Sequence, residues 1–353
     1  MGSDRYVAYI GTFTKGSSDG IHILDFDAEK NQFTERGVIS AENPSDLRVS
    51  KNGKFLYSTT DQGVNAYRIL PDGDLEFINT QWTGGMRGCW LETDPDDHFL
   101  FVAGDYDGRL SVMQLKEDGS IGEIADGLFH QGMGEDNAGI KRMPRITCVA
   151  LTPDAKGIFA VDNGLDQVMG YEFDAQTGKL SRRGVLRCEL DSAPRVIRVD
   201  GQGKYVYVLC EQTNHVCVYR IPEEIPSDDR AILEPIQKIS TVAKDSSRKP
   251  ASYGMDMMPD GKHLLVSNTV TNTVVVYDVN KKTGELALNC SASLSGEFPR
   301  TVAALPDSKH FVVLGLNTGT VTVYQVNYKE QYFLMSAKPV LIDEPTSLCL
   351  HPL

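Results

Sequence analysis

The stretch Gly203–Tyr219, GKYVYVLCEQTNHVCVY, decides the fold. A Gly-Lys turn leads into an apolar run, Tyr205–Val208. A polar turn follows, and a second apolar run of the form V-x-V-Y ends at Tyr219. Two short β-rich runs around a polar turn predict an antiparallel hairpin. The same hairpin recurs along the chain. Its first run returns as Phe55–Ser58 (FLYS), Phe99–Val102 (FLFV), Ile158–Val161 (IFAV), Leu264–Ser267 (LLVS) and Phe311–Leu314 (FVVL). Its second run returns as Val168–Tyr171, Val274–Tyr277 and Val321–Tyr324, with weaker copies at Val64–Tyr67 and Leu110–Met113. Gly-bearing turns such as Asp72-Gly73-Asp74-Leu75 and Thr283-Gly284-Glu285-Leu286 then introduce a further strand. The repeat spacing, about 44 to 58 residues, is that of four-stranded propeller blades.

Six full repeats account for Pro44 to Glu344. The remaining pieces complement each other. Tyr6–Thr12 (YVAYIGT) and Gly20–Phe26 (GIHILDF) form a hairpin with no strand before it, and Pro345–His351 (PTSLCLH) is a strand with none after it. Joined, they make a seventh blade and close the ring, which removes two unpaired edges. The expectation is an all-β protein: one seven-bladed β-propeller domain over residues 1–353, closed by the C-terminal strand joining the N-terminal blade. The competing architectures are an open sandwich and a pair of β-domains.

Composition sets limits on function. The formal net charge of −13 disfavours binding to nucleic acid or to anionic membranes. It leaves room for a local basic pocket that takes a small anionic metabolite. The seven cysteines are irregularly spaced without a CxxC, as expected of reduced thiols. No basic region followed by an apolar one precedes Tyr6, and no apolar stretch approaches the roughly 18 residues of a membrane span. The expected localisation is cytoplasmic. No cofactor and no metal is expected, since no His/Cys/carboxylate cluster has ligand spacing. His98, His263 and His310 share one turn position before a strand and are expected at the surface, and His215 in a solvated turn.

In a propeller the first strand of each blade lines the central channel. Aligned on the turn that follows, the fourth position of this strand is apolar throughout: Leu47, Leu91, Val149, Ile197, Met255, Val302 and Leu348. The second position reads Ser45, Cys89, Thr147, Arg195, Tyr253, Arg300 and Thr346. The fifth reads Arg48, Glu92, Ala150, Arg198, Asp256, Ala303 and Cys349. Enclosed charges need partners, so Arg48, Glu92, Arg198 and Asp256 read either as an ionic lacing between blades or as ligand groups. Arg195, Arg300 and Arg145 each follow a proline, and Arg87 stands just before a first strand. Several guanidinium groups around one mouth suit a carboxylate or phosphate. The alternative is that each pairs with a nearby acid.

Taken together, several motifs resemble the lactonase propeller family, which includes propeller-type 6-phosphogluconolactonases and muconate-lactonising relatives. They are Tyr9–Thr14 (YIGTFT) with Gly20-Ile21, Asn43-Pro44-Ser45 with Gly53–Tyr57 (GKFLY), and His130-Gln131-Gly132-Met133-Gly134 before Pro144. Asp162–Asp166 (DNGLD), Ala193-Pro194-Arg195, Glu211 and Phe298-Pro299-Arg300 complete the set. The likeness spans nearly the whole chain. Family histidines are replaced at Arg145 and Thr147, at Val196 and at Thr301; Trp90 follows Cys89 where a histidine is usual, and Asp256 replaces an arginine.

The resemblance implies a hydrolase acting on the lactone of a sugar acid. Its catalytic candidates are Glu211 as base for the attacking water, Arg195 at the developing oxyanion and His130 as proton shuttle. Arg300, Arg145, Thr147, Trp90 and Tyr253 are candidates for substrate binding. A lactonising isomerase would use the same set in reverse. The other reading is a non-catalytic propeller that binds a small anion or a protein partner. The sequence leaves enzyme and binder open and says nothing of oligomeric state.

Overall fold

The computed structural model describes residues 5–132, 134–135, 141–222, 232–243 and 252–353. Seven sheets are arranged as blades, each with its first strand innermost. Blade 1 is composite, made of Pro345–Pro352, Arg5–Thr12, Gly20–Asp27 and Gln32–Ser40. Blade 2 is Leu47–Val49, Phe55–Thr60, Gly63–Ile69 and Leu75–Gln81. Blade 3 is Trp90–Thr93, Phe99–Ala103, Arg109–Leu115 and Ile121–Phe129. Blade 4 is Ile146–Leu151, Gly157–Asp162, Gln167–Asp174 and Lys179–Arg187. Blade 5 is Pro194–Val199, Tyr205–Cys210, His215–Arg220 and Glu234–Ser240. Blade 6 is Ser252–Met257, His263–Asn268, Thr273–Val279 and Leu286–Ser293. Blade 7 is Pro299–Ala304, His310–Gly315, Thr320–Asn327 and Tyr332–Met335, with Val340–Leu341 as a second outer piece on Thr320–Asn327. Most of Pro222–Leu233, which the sequence suggests is a loop, lies outside the described residues.

The ring closes as the unmatched pieces predict. Arg5–Thr12 pairs antiparallel with Pro345–Pro352, from Tyr6 opposite Pro352 to Thr12 opposite Pro345. The Leu353 amide donates to the Arg5 carbonyl at 3.0 Å, and Thr346 Oγ1 to the Gly11 carbonyl at 2.9 Å. Gly11 has no room for a side chain: a Cβ there would stand 2.1 Å from the Pro44 carbonyl oxygen and 2.4 Å from Ser347 Oγ.

Apolar alternation on the strands fills the space between neighbouring blades. Phe55, Tyr57, Val64 and Ala66 of blade 2, for example, pack on Leu91, Leu100, Val102 and Met113 of blade 3. The aligned fourth-position residues are buried in six blades, while Leu348 is half-buried. A recurrent polar tie runs between blades. The hydroxyls of Tyr9, Tyr57 and Tyr207 donate to the carbonyls of Gly73, Gly119 and Gly284, each in a hairpin turn of the next blade. Burial makes these phenols weaker acids than usual.

Three expectations for histidines are corrected. His310 is buried, because Asp307 of the same turn holds it twice, with Oδ2 at 2.5 Å from Nδ1 and Oδ1 accepting the His310 amide at 3.0 Å. His263 is half-buried and stacked on Tyr328 at 3.6 Å between ring centres. His215 is half-buried rather than solvated.

Removing Pro345–Leu353 should take away an inner strand and the packing on both sides of it. Thermal unfolding should lose its cooperativity or fall by at least about 10 °C. A truncated chain melting within about 2 °C of the parent would refute the closure.

Candidate active site

Strict alternation from the buried fourth position would turn second-position side chains into the blade. The structure turns them toward the channel. In blades 4, 5 and 7 the first strand slips register around one residue, Thr147, Arg195 and Arg300 respectively. In blade 6 it slips across Tyr253 and Gly254. A β-bulge leaves its extra residue unpaired and re-aims the side chain. Ahead of two of these bulges, Ala193 and Phe298 hold φ of 48° and 55° directly before Pro194 and Pro299. This left-handed step swings the chain into the channel. Gly254 lets the strands close up, since a Cβ there would meet the Arg300 carbonyl at 2.9 Å.

The channel holds a cavity of about 350 Å³. Its wall includes Arg195, Arg300, Thr147, Trp90 and Tyr253 among the sequence candidates, together with Asp46, Phe13, Arg87, Asp105 and Tyr106. Around the mouth, guanidinium groups and rings alternate. Arg87 lies 5.5 Å from the Tyr106 ring centre and 5.6 Å from that of Phe13. Arg300 lies 5.1 Å from both Phe13 and Tyr253, and Arg195 sits 3.4 Å over Tyr253. Arg300 Nη1 also donates to Tyr253 Oη at 2.7 Å. Flanking rings hold a guanidinium in place without cancelling its charge.

Most of the channel's charges are paired. Arg48 Nη2 meets Glu92 Oε2 at 3.1 Å, and Arg198 Nε meets Asp256 Oδ1 at 3.3 Å, each pair joining two blades. Burial raises the Glu92 pKa, but Arg48 and Lys51 outweigh it and hold the carboxyl below its ordinary value. Nearer the mouth, Arg87 pairs with Asp61 at 3.0 Å and Arg145 with Asp105 at 2.9 Å. Arg195 Nη1 donates to Glu211 Oε2 at 3.0 Å, and Asn163 Nδ2 reaches the same oxygen at 3.4 Å. Burial opposes the charged form of Arg195, and Tyr253 and Glu211 more than compensate. Thr147 Oγ1 donates to the Arg195 carbonyl at 2.7 Å and steadies the bulge. Two groups in the cavity wall are left over. Among the described residues Arg300 has no carboxylate partner and Asp46 has no cation.

Arg195 and Arg300 therefore line one cavity; Glu211 is outside its wall and is held next to it by Arg195, as Arg145 is by Asp105. His130 stands apart. It is buried between blades 3 and 4, where Nδ1 meets Asp162 Oδ2 at 2.7 Å and Nε2 meets Tyr171 Oη at 2.9 Å. Asp162 Oδ1 in turn accepts the Arg145 and Leu165 amides. This chain anchors the strand start that carries Arg145 and does not reach the cavity. The Met133 of the His130 motif lies outside the described residues. Asp46 was not among the sequence candidates. It is the one acid at the third aligned position, beside Trp90, Cys148, Val196, Gly254, Thr301 and Ser347. One potential cation-binding group, Asp94, Asp96 and His98, lies in a turn of blade 3, where Asp94 already accepts the Phe99 amide at 2.6 Å.

A family model described as a seven-bladed β-propeller lactonase matches residues 7–350. The chain is 29% identical over 302 residues to a 6-phosphogluconolactonase of Bacillus subtilis (strain 168), covering 84% of each. A 6-phosphogluconolactonase of Formosa agariphila is also 29% identical, over 312 residues, covering 84% of this chain and 85% of the relative. In fold it matches a periplasmic gluconolactonase of Pseudomonas aeruginosa with a TM-score of 0.89 at 22% identity, covering 98% of this chain and 99% of that one.

Replacing His130 by alanine should leave the buried Asp162 carboxylate and Tyr171 hydroxyl without the imidazole. Urea unfolding should show a loss of about 3 kcal/mol. If a sugar acid raises the Tm of the parent protein, that rise should persist in the variant. Unchanged stability would refute the anchoring role.

Proposed function

The chain belongs to the lactonase seven-bladed β-propeller family, and we propose that it hydrolyses the lactone of a small anionic sugar acid at the channel mouth. The observation that carries this reading is Arg300, a guanidinium fixed by Phe13 and Tyr253 and left without an acid among the described residues. An isolated cation held between rings suits the phosphate or carboxylate of an incoming substrate. The relatives named 6-phosphogluconolactonase support the same class of substrate.

In this reading the lactone ring enters the cavity with its anionic group on Arg300. Arg195 stands where a carbonyl oxygen gains charge as water adds to the carbon. Glu211 has one oxygen bound to Arg195 and Asn163, and its Oε1 takes no side-chain donor among the described residues. That oxygen holds the attacking water and accepts its proton. Tyr253 and Trp90 line the cavity around the sugar ring, and Thr147 keeps Arg195 in place.

Turnover should favour anionic over neutral lactones. Arg300→Ala should raise KM by at least about tenfold, the scale of a lost charge-assisted hydrogen bond. Glu211→Gln should lower kcat by about a hundredfold with little change in Tm. If neutral lactones are hydrolysed as well as anionic ones, the Arg300 assignment is wrong. A protein that binds sugar acids and hydrolyses none of their lactones is a binder.

A further inference from the structure

The charge inventory of the channel leaves a carboxyl as well as a guanidinium. Asp46 lines the same cavity as Arg195 and Arg300. Its place is fixed from several sides: Oδ2 accepts the Leu91 amide at 2.6 Å, its own amide donates to Thr59 Oγ1 at 2.9 Å, and its carbonyl accepts the Thr59 amide at 3.0 Å. Arg48, two residues on, does not neutralise it, because that guanidinium is drawn to Glu92 Oε2 and to the Leu91 carbonyl. A carboxyl enclosed without a cation keeps its proton to higher pH.

Lactone hydrolysis has a second half, to which no group has yet been assigned. Once water has added, the carbon–oxygen bond of the ring must break, and its electron pair stays on the ring oxygen. An alkoxide is a poor leaving group unless it is protonated as it departs. We propose that Asp46 is the general acid that protonates the departing ring oxygen. The inference rests on the hydrolase reading above. The proton count balances. Water gives one proton to Glu211 and its hydroxyl to the carbonyl carbon, and the ring oxygen takes one proton from Asp46. The product is the hydroxy acid, and the two carboxyls return to their starting states by exchange with water through the mouth.

The electrostatics agree. Burial pushes the Asp46 carboxyl up to about 7, with Arg48 pulling the other way and Glu92 adding to the rise. Cys89 and Cys349, thiols of the same cavity wall, are themselves held protonated by burial. With Glu211 as base and Asp46 as acid, two carboxyls divide the proton transfers between them.

The test is Asp46→Asn, which keeps the acceptor for the Leu91 amide and removes the proton. With an anionic sugar-acid lactone, wild-type kcat should fall as pH rises through about 7, where the acid is lost. The variant should have kcat at least about tenfold lower at pH 6 and lack that decline. A second measurement needs no turnover. Between the ordinary aspartate value of 3.8 and about 7 the unfolded chain has released this proton while the folded protein still holds it. Wild-type stability therefore falls relative to Asp46→Asn as pH rises through that window. The Tm difference, variant minus wild type, should grow from pH 5 to pH 7 and then level off. A difference that stays flat overturns the proposal. So does a variant that keeps both kcat and the alkaline decline, and in that case the hydrolase reading still stands. Wild-type protein that hydrolyses no anionic lactone overturns both.

Discussion

The antiparallel ladder between Arg5–Thr12 and Pro345–Pro352 is the constraint on which the molecule depends. Each blade buries its faces only against two neighbours, so every blade needs a closed ring. Closure also fixes the channel, because seven inner strands held side by side leave a cavity whose wall is drawn from all the blades. Arg195, Tyr253 and Arg300 come from three different blades, and Phe13 and Asp46 from two more.

Enclosing charge is costly unless it is met by opposite charge, and among the described residues the channel follows that rule with two exceptions. Arg48–Glu92 and Arg198–Asp256 lace blades 2 to 3 and 5 to 6. Of the two roles open to these four residues, the ion pairs support the lacing. At the mouth, Arg87, Arg145 and Arg195 each have an acid. Arg300 has rings where the others have carboxylates, so it is held as firmly and stays unneutralised. The pairs that join neighbouring blades, Arg48–Glu92 and Arg198–Asp256, hold the ring, while Arg300 and Asp46 face the same cavity without such a partner among the described residues.

The fold was legible because period-two apolar runs and Gly turns are local, and because the unmatched strands at the two ends announce each other. The break of the outer strand of blade 7 into Tyr332–Met335 and Val340–Leu341 left no such pattern. The site was legible in part. Alignment picked out Arg195, Tyr253 and Arg300, yet their reach into the channel depends on bulges that no residue pattern marks. His130 resembled a mouth residue by motif. Its partners lie 32 and 41 residues away, and they settle it in the interior. Asp46 escaped notice because its importance lies in the absence of a cation, which only the full set of neighbours defines.

The seam in blade 1 has a kinetic consequence. Thr346 meets Gly11 across 335 positions of sequence. Loop-closure entropy grows only logarithmically, so this seam is about 2 kcal/mol harder to close than a loop of one blade's length. The thermodynamic burden of so remote a contact is small, but its effect on the order of events is large. Blades 2 to 7 form from contiguous chain, whereas the hairpin Arg5–Asp27 presents a bare inner edge until residues 345–352 arrive. Such an edge is a template for another chain. Closure should therefore be the concentration-sensitive step in folding this propeller: a race between residues 345–352 and a neighbouring molecule for the same row of amides.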